Sequence, residues 1–188
     1  LTMVSRQAYF SGRPPVYFPA SIHTTEREPT AWKRFWADED LLAAEVGYER
    51  SLRDEADLGR VDELLSHPKM RAVGLVVDKI DRIMHGMTLG SRGMHTLVRQ
   101  WANQGALAAL LDMLVDRGFS VFLTSDHGNI EAKGCGRPTE GAVADMRGER
   151  VRVYPDRLLR ARVKESFPDA IEWPSVGLPD DYLPLIAP

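Results

Sequence analysis

Two short apolar runs with a helical pattern between them constrain the fold of this chain more than any other feature. Residues 72–77 are apolar and rich in β-branched side chains, and residues 119–123 repeat that character, so each run predicts a buried strand. Apolar residues recur at helical spacing from Leu97 to Val115, which predicts one long helix that stops at Gly118. A strand, a helix and a strand in this order predict a right-handed crossover between two parallel strands.

Weaker patterns precede this unit. Residues 1–30 are punctuated by proline and glycine and are interpreted as mostly loop. Thr30 is suited to cap a helix that begins at about Ala31. Residues 49–60 are mostly charged, and they predict an exposed connection or a solvated helix. The aromatic residues expected to share one face of the Ala31 helix are Trp32, Phe35 and Trp36.

The C-terminal part of the chain offers two further elements before a proline-rich tail. Residues 150–154 predict a strand, and residues 156–164 predict a basic helix. Alternation of strands and helices places the chain in the α/β class.

Composition bounds the class of protein. The 188 residues are 44% hydrophobic and 27% charged, which suits one domain with a sizeable core. A net charge of −3 gives no general attraction to nucleic acid. The single cysteine, Cys135, excludes an intrachain disulfide framework and fits a reducing cytoplasm. Neither a membrane-spanning run nor a signal peptide is apparent, so a cytoplasmic protein without a membrane partner is expected.

A carboxylate–imidazole pair follows each of the two predicted strands. Asp81 and His85 come after the first strand, and Asp126 and His127 come after the second. Open α/β sheets bind their ligands at the carboxyl ends of strands. Carboxylate oxygen and imidazole nitrogen together suit zinc, with manganese and magnesium as alternatives. The pairs therefore predict two metal ions about 4 Å apart, the spacing used for in-line attack on phosphate esters.

Each pair also has a simpler interpretation. Asp81 would suit the acidic first turn of a helix, and Asp126 with His127 would suit a polar surface loop. Asp78 also sits at the end of the first strand and is the rival of Asp81 as a metal ligand.

The N-terminus supplies a hydroxyl and a guanidinium one helical turn apart, at Thr2 and Arg6. A hydroxyl bound to a metal loses its proton more easily and becomes a nucleophile, and an arginine offers a rigid fork to phosphate. The alternative is a plain polar helix start. Arginines after the Asp-His-Gly segment could bind phosphate or a nucleic-acid backbone, or could simply be solvated. They are Arg137, Arg147, Arg150 and Arg152.

The motifs Thr2-x-x-Ser5-Arg6, Asp81-x-x-x-His85-Gly86 and Asp126-His127-Gly128, in this order, resemble the alkaline phosphatase superfamily. The longer strings at residues 78–86 and 124–132 are similar to the PglZ domain of bacterial phage-defence systems of the phage-growth-limitation and BREX type. The resemblance implies a three-layer α/β/α fold with a mostly parallel central sheet over residues 1–188. It also implies that the chain is the C-terminal part of a larger domain, whose first strand and its aspartate precede residue 1.

The same resemblance implies a metal-dependent phosphoester hydrolase, a phosphodiesterase or phosphatase for which nucleic acid is one candidate substrate. Thr2 would be the nucleophile, and Arg6 would steady it or the substrate oxygens. Asp126 with His127 would hold one divalent ion, preferably zinc, and Asp81 with His85 the other. Other proteins of the defence system are the implied partners.

The chain departs from the superfamily pattern in one respect that its residues show: no histidine follows His127. Substitutes for that ligand could be drawn from Glu140, Asp145, Glu149, His23 and His95. The departure motivates a second hypothesis, a catalytically impaired scaffold that binds other defence proteins or nucleic acid. A nucleic-acid-binding module that uses the arginine group is a third.

Overall fold

The computed structural model groups the chain into two compact units, each of which has its own packed side chains. The first unit combines the two ends of the chain, Leu1–Thr25 and Ala132–Pro188, and the second is Glu26–Glu131. The residues that the structure describes are 2–86, 90–128, 136, 146–147 and 150–188.

The described residues form helices, strands and short 3-10 turns. The helices are α1 Thr2–Ser11, α2 Glu28–Asp38, α3 Leu58–Leu65, α4 Lys79–His85, α5 Gly90–Asn103, α6 Ala106–Asp116 and α7 Arg157–Ser166. The strands are β1 Val46–Leu52, β2 Ala72–Val77, β3 Met146–Arg147, β4 Val151–Tyr154, β5 Ile171–Glu172 and β6 Leu183–Ile186. None of these helices is long and apolar enough to cross a membrane.

The second unit is built on a parallel pair of strands. β1 pairs with β2 in register from Val46 opposite Ala72 to Leu52 opposite Val77, and α3 lies between them in the chain. The register shifts between Glu49 and Leu52, which makes the end of β1 irregular. β2 confirms the strand predicted at residues 72–77. Its partner β1 was not predicted as a strand, because the second half of β1 falls in the mostly charged segment of residues 49–60.

The predicted long helix is two helices. α5 ends at Asn103 and α6 begins at Ala106, with Gly105 between them at a φ of 90°. Glycine adopts that left-handed conformation at no steric cost, so the chain turns there while the apolar stripe continues. Leu110 and Leu114 of α6 pack with Leu52, Val61 and Leu65 in the core of this unit.

The strand predicted at residues 119–123 is not formed: residues 119–125 have no regular secondary structure and join neither sheet of the described residues. Phe119 still packs on the core, whereas Phe122 is 86% exposed and Leu123 is 74% exposed. The prediction was wrong because an apolar run indicates a preference for burial in a sheet without specifying a partner strand. The crossover predicted between this run and β2 is therefore replaced by the β1–α3–β2 connection.

α2 packs its aromatic face as its spacing predicted, although it begins earlier, at Glu28. Trp32 and Trp36 meet edge to face with ring centroids 5.3 Å apart, and Trp32 donates its indole N–H to the Gly47 carbonyl oxygen at 2.9 Å. Glu28 is fully buried and accepts a hydrogen bond from the Tyr48 hydroxyl at 2.5 Å. Thr30 lies inside the helix rather than at its cap.

β1 also lies close to α3. A Cβ atom at Gly47 would lie 3.0 Å from Leu64 of α3, so a glycine is what allows this approach. The exposed connection predicted for this segment is therefore a strand, a 3-10 turn at Glu55–Asp57 and the first turn of α3.

The first unit contains an antiparallel sheet in the order β3-β4-β6-β5. β4 and α7 confirm the strand and the basic helix predicted at residues 150–154 and 156–164. The Asp156 carboxylate caps α7 by accepting from the backbone N–H groups of Leu158 and Leu159. Tyr154, Val163 and Leu183 belong to the core between this helix and the sheet.

These elements confirm an α/β chain, but they correct the predicted sheet. In the described part of the chain only β1 and β2 pair in parallel, and the larger sheet is antiparallel, so a mostly parallel central sheet in three layers is not seen. Strand signals in the sequence come from local apolar character. The direction in which strands pair depends on contacts between distant segments, which local character does not encode.

Candidate metal centre

The first carboxylate–imidazole pair lies on α4, directly after the end of the parallel strand pair. β2 ends at Val77, and the next residue, Asp78, donates its backbone N–H to the Leu52 carbonyl oxygen of β1 at 3.1 Å. α4 then begins at Lys79. The helix therefore starts at the carboxyl ends of β1 and β2, the edge of a parallel sheet at which ligands usually bind.

Asp81 and His85 are brought together by the helical turn between them. The Nε2 atom of His85 lies 3.4 Å from Oδ1 of Asp81, and their side chains are 75% and 48% exposed respectively. Two ligands of one tetrahedral zinc ion, each about 2.0–2.1 Å from it, lie roughly 3.3 Å apart. The pair thus has the donor types, the spacing and the access that a borderline divalent ion requires of two of its ligands.

Asp126 and His127 are also close to each other, in the loop that continues from residues 119–125. The Nε2 atom of His127 lies 3.7 Å from Oδ2 of Asp126. The backbone N–H of His127 donates to Oδ1 of Asp126 at 3.1 Å, which holds that carboxylate beside the ring.

The second nitrogen of His127 orients the ring. Nδ1 lies 2.9 Å from the Gly128 carbonyl oxygen. A carbonyl oxygen can only accept, so Nδ1 carries the proton and the neutral ring has its acceptor lone pair at Nε2. A backbone carbonyl that orients an imidazole in this way is typical of histidines that bind metals.

Each pair supplies two donors, and the structure does not join the pairs. Among the described residues, no three His, Cys, Asp or Glu side chains gather into a group that could hold a metal ion. A shared two-metal centre therefore stays a prediction. Of the substitute ligands, Glu140, Asp145 and Glu149 lie outside the described residues, as does Cys135. His95 is exposed on α5, and His23 contacts the Tyr182 ring in the first unit, with centroids 5.9 Å apart.

Asp78, the rival of Asp81, is engaged elsewhere. Its Oδ1 accepts from Arg53 Nε at 3.1 Å, and its Oδ2 accepts from Arg53 Nη2 at 3.4 Å and from Arg82 Nε at 3.3 Å. The hydrogen bond with Asp78 raises the pKa of the Arg53 guanidinium above its ordinary value. Because two guanidinium groups share the Asp78 carboxylate, the geometry favours Asp81 as the donor to a metal.

Thr2 and Arg6 lie on α1, in the first unit. Thr2 is the first residue of the helix and Arg6 follows one turn later, and both are half-buried. The prediction of mostly loop was therefore wrong for Thr2–Ser11, where the structure has a helix, and the alternative of a helix start at Thr2 is confirmed. Of the predicted arginine group, Arg137 lies outside the described residues, and Arg152 lies on β4.

α1 is held by a buried glutamine that the sequence did not single out. Gln7 Nε2 donates to the carbonyl oxygens of Ser21 and Thr24 at 2.5 Å and 2.6 Å, and Gln7 Oε1 accepts from the Ser21 hydroxyl at 2.8 Å. No local pattern marks Gln7, or Arg53 in the second unit, because their roles depend on contacts with distant segments.

Comparison with known proteins gives one match. The family model described as the BREX system PglZ alkaline phosphatase-like domain matches residues 1–188. The searches of curated proteins and of solved structures gave no match.

Proposed function

The chain belongs to the family of BREX system PglZ alkaline phosphatase-like domains, and on that basis we propose that it is a divalent-metal-dependent phosphoester hydrolase of a phage-defence system. The observation that carries the proposal is the pair of Asp81 and His85, 3.4 Å apart on an exposed helix at the carboxyl ends of two parallel strands. We also propose that residues 1–188 act as one domain, in the cytoplasm.

The chain's own side chains divide between two ions. Asp81 and His85 would hold one, and Asp126 and His127 would hold the other. Mixed oxygen and nitrogen donors favour zinc, and manganese or magnesium would be accepted where carboxylates predominate. When bound, such ions supply positive charge that stabilises the oxygens of a phosphoryl group during displacement.

Thr2 and Arg6 take their proposed roles from the family motif. The Oγ–phosphorus bond to Thr2 forms as the ester oxygen–phosphorus bond breaks, and the leaving alcohol takes up a proton. Water then displaces Thr2 from phosphorus and regenerates the hydroxyl, so the net reaction is hydrolysis. The planar guanidinium of Arg6 can donate two parallel hydrogen bonds to anionic phosphoryl oxygens, which suits it to orient the phosphate.

The test is metal-dependent turnover by the full-length protein. Release of p-nitrophenol from bis-p-nitrophenyl phosphate is measured after removal of metal and again after addition of zinc or manganese. We expect release only with metal, and a loss of at least about 100-fold in kcat for Thr2→Ala and for Asp126→Ala, since groups that act directly in the reaction commonly contribute that much. Undiminished turnover by either variant would exclude this mechanism. Nucleic-acid substrates are assayed in parallel.

A specific observation favours a second candidate, a scaffold that binds other proteins of the defence system. No histidine follows His127 in the sequence, and this departure from the superfamily pattern motivates the scaffold hypothesis. The scaffold predicts a tight complex with partner subunits and no turnover with any metal. Full activity on addition of zinc or manganese would contradict it.

A further inference from the structure

Two ion pairs join the segment after β1 to the beginning of α4. Arg53 contacts Asp78 through two hydrogen bonds, at 3.1 Å and 3.4 Å. Its neighbour Asp54 accepts from Lys79 Nζ at 2.8 Å and 3.2 Å. The positive Arg53 thus faces the negative Asp78, and the negative Asp54 faces the positive Lys79. A shift of one residue would place like charges opposite each other, so the order of the charges specifies one register.

Further bonds hold both sides of this contact. The Arg53 carbonyl oxygen accepts the indole N–H of Trp101 at 2.7 Å, and Trp101 is buried. The Asp78 backbone N–H donates to Leu52 at 3.1 Å, and Arg82, one turn into α4, reaches back to the Asp78 carboxylate at 3.3 Å. Arg53 is therefore fixed through its main chain as well as through its side chain.

α4 depends on this contact because its other packing is light: it contacts α5, and Ile83 and Met84 are only half-buried. The helix has seven residues and none of them is buried. Isolated helices shorter than about 12 residues are marginal in water, and in proteins they rely on packing. Since no residue of α4 is fully buried, the bonds at Asp78 and Lys79 fix its first turn, and the contact with α5 supports the helix beyond that turn.

We propose that the Arg53–Asp78 ion pair positions the Asp81–His85 pair. The Asp54–Lys79 ion pair supports it in this role. They hold the first turn of α4 at the carboxyl ends of the strands and so fix where the carboxylate and the imidazole point. They touch neither metal nor substrate. The metal part of this inference rests on the proposed function. Both ion pairs are partly open to solvent, which limits their contribution to global stability, so we expect their effect to be mainly local.

The structure supplies a matched control at the opposite ends of the same two strands. Arg71 precedes β2 and Glu45 precedes β1, with Nη1 and Oε1 3.8 Å apart. The Arg71 backbone N–H also donates to the Glu45 carbonyl oxygen at 2.8 Å. Arg71→Gln therefore removes an arginine–carboxylate ion pair, a longer and more exposed one, at the opposite ends of the same strands and away from α4.

The experiment compares Arg53→Gln, Asp78→Asn and Lys79→Gln with Arg71→Gln in the full-length protein. Amide hydrogen exchange over residues 79–86 is measured without metal, and manganese and zinc binding are measured by calorimetry. We expect about tenfold faster exchange in α4 and about 10- to 100-fold weaker metal binding in Arg53→Gln and Asp78→Asn, as for other residues that orient metal ligands. Arg71→Gln should change neither, and Arg53→Lys should restore part of the protection.

Each outcome bears on the proposal. If Arg53→Gln and Lys79→Gln exchange no faster in α4 than Arg71→Gln does, the positioning role is wrong. If Arg53→Gln folds poorly, Lys79→Gln, which breaks the more exposed ion pair with Asp54, still allows the comparison of exchange rates. Asp81→Asn separates the two proposals: if it leaves metal binding unchanged, the proposed metal site fails, while the exchange comparison still decides whether the ion pairs position α4.

Discussion

Trp101 donates its indole N–H to the main-chain carbonyl oxygen of Arg53 at 2.7 Å, between residues 48 positions apart in the chain. The indole is buried, with 4% of its surface exposed. The bond attaches α5 to the irregular end of β1 and satisfies a carbonyl that lies just beyond the last residue of that strand. Through Arg53 it also supports the ion pairs that hold the start of α4.

The hydrogen bond from Trp101 to Arg53 predicts that loss of the indole N–H destabilises the protein even when an aromatic ring is kept. Trp101→Phe keeps an aromatic ring but leaves the Arg53 carbonyl oxygen without its indole donor, so we expect a loss of about 2 kcal/mol in the free energy of unfolding. Urea denaturation measures it. Trp173→Phe, at a tryptophan that is 54% exposed, is the control and should change stability by less than about 0.5 kcal/mol. Equal losses in the two variants would contradict the role of the bond.

Gln7 predicts a comparable loss in the first unit. Gln7→Leu keeps the approximate volume of the side chain but removes the donor to Ser21 and Thr24, which leaves carbonyl oxygens without that partner. Because each unsatisfied buried group costs about 1–3 kcal/mol, we expect a destabilisation of about 3 kcal/mol in chemical denaturation. Gln100→Leu, at an exposed position of α5, should be nearly neutral. A neutral Gln7→Leu would show that the network is dispensable.

The break between α5 and α6 predicts opposite signs for two glycine substitutions. Neither Gly105 nor Gly59 has an atom within 4 Å of an added Cβ, so sterics with neighbours do not separate them. Gly105 has a φ of 90°, whereas Gly59 lies in α3. Gly105→Ala should destabilise by about 1 kcal/mol because the left-handed conformation is strained with a side chain. Gly59→Ala should stabilise by up to about 1 kcal/mol. Thermal unfolding measures both, and a stabilising Gly105→Ala would contradict the observed helix break.

Asp57 predicts a pH-dependent contribution to stability. The backbone N–H of Arg53 donates to its carboxylate at 2.9 Å, and this bond, with further ones from Asp54 and Arg60, lowers the pKa of Asp57. A carboxyl group whose pKa is lowered by folding stabilises the protein above its unfolded pKa, near 4. That contribution is lost as the pH falls through the folded pKa.

The Asp57→Asn variant tests this sign. At pH 7 it should be less stable than the wild type by less than about 1 kcal/mol, since the carboxylate is exposed to solvent screening. The difference should shrink as the pH falls below about 4. Urea midpoints at pH 7, 4 and 2.5 measure it, with Asp112→Asn, an exposed aspartate of α6, as the control. A difference that grew at acid pH would have the wrong sign for this mechanism.

The elements that the sequence predicted correctly are those with strong local signals. β2 is a short apolar run, β4 alternates valine with arginine and ends in tyrosine, and α7 begins after an aspartate that caps it. β1 was missed because polar residues such as Glu49 and Arg50 fill its second half. β6 was missed because Pro184 lies within it, and proline argues against a strand.

The candidate site shows the same division between local and distant contacts. The four-residue spacing predicted that Asp81 and His85 would meet, either on one face of a helix or across a turn after the strand, and α4 brings them together. By contrast, the competition between Asp78 and Asp81 could be judged only when Arg53 was seen to occupy the Asp78 carboxylate. Spacing along one helix can be calculated from the sequence, whereas a partner 25 positions away depends on how the strands pair.

The close approach of α3 to β1 at Gly47 has a consequence for the divergence of related sequences. A side chain at position 47 could be accommodated only if the Leu64 side chain gave way, since their atoms would lie 3.0 Å apart. Replacement of the glycine by alanine during evolution should therefore be accompanied by a smaller residue at position 64. Positions 47 and 64 are therefore expected to vary together in related sequences, because together they set the distance between α3 and β1.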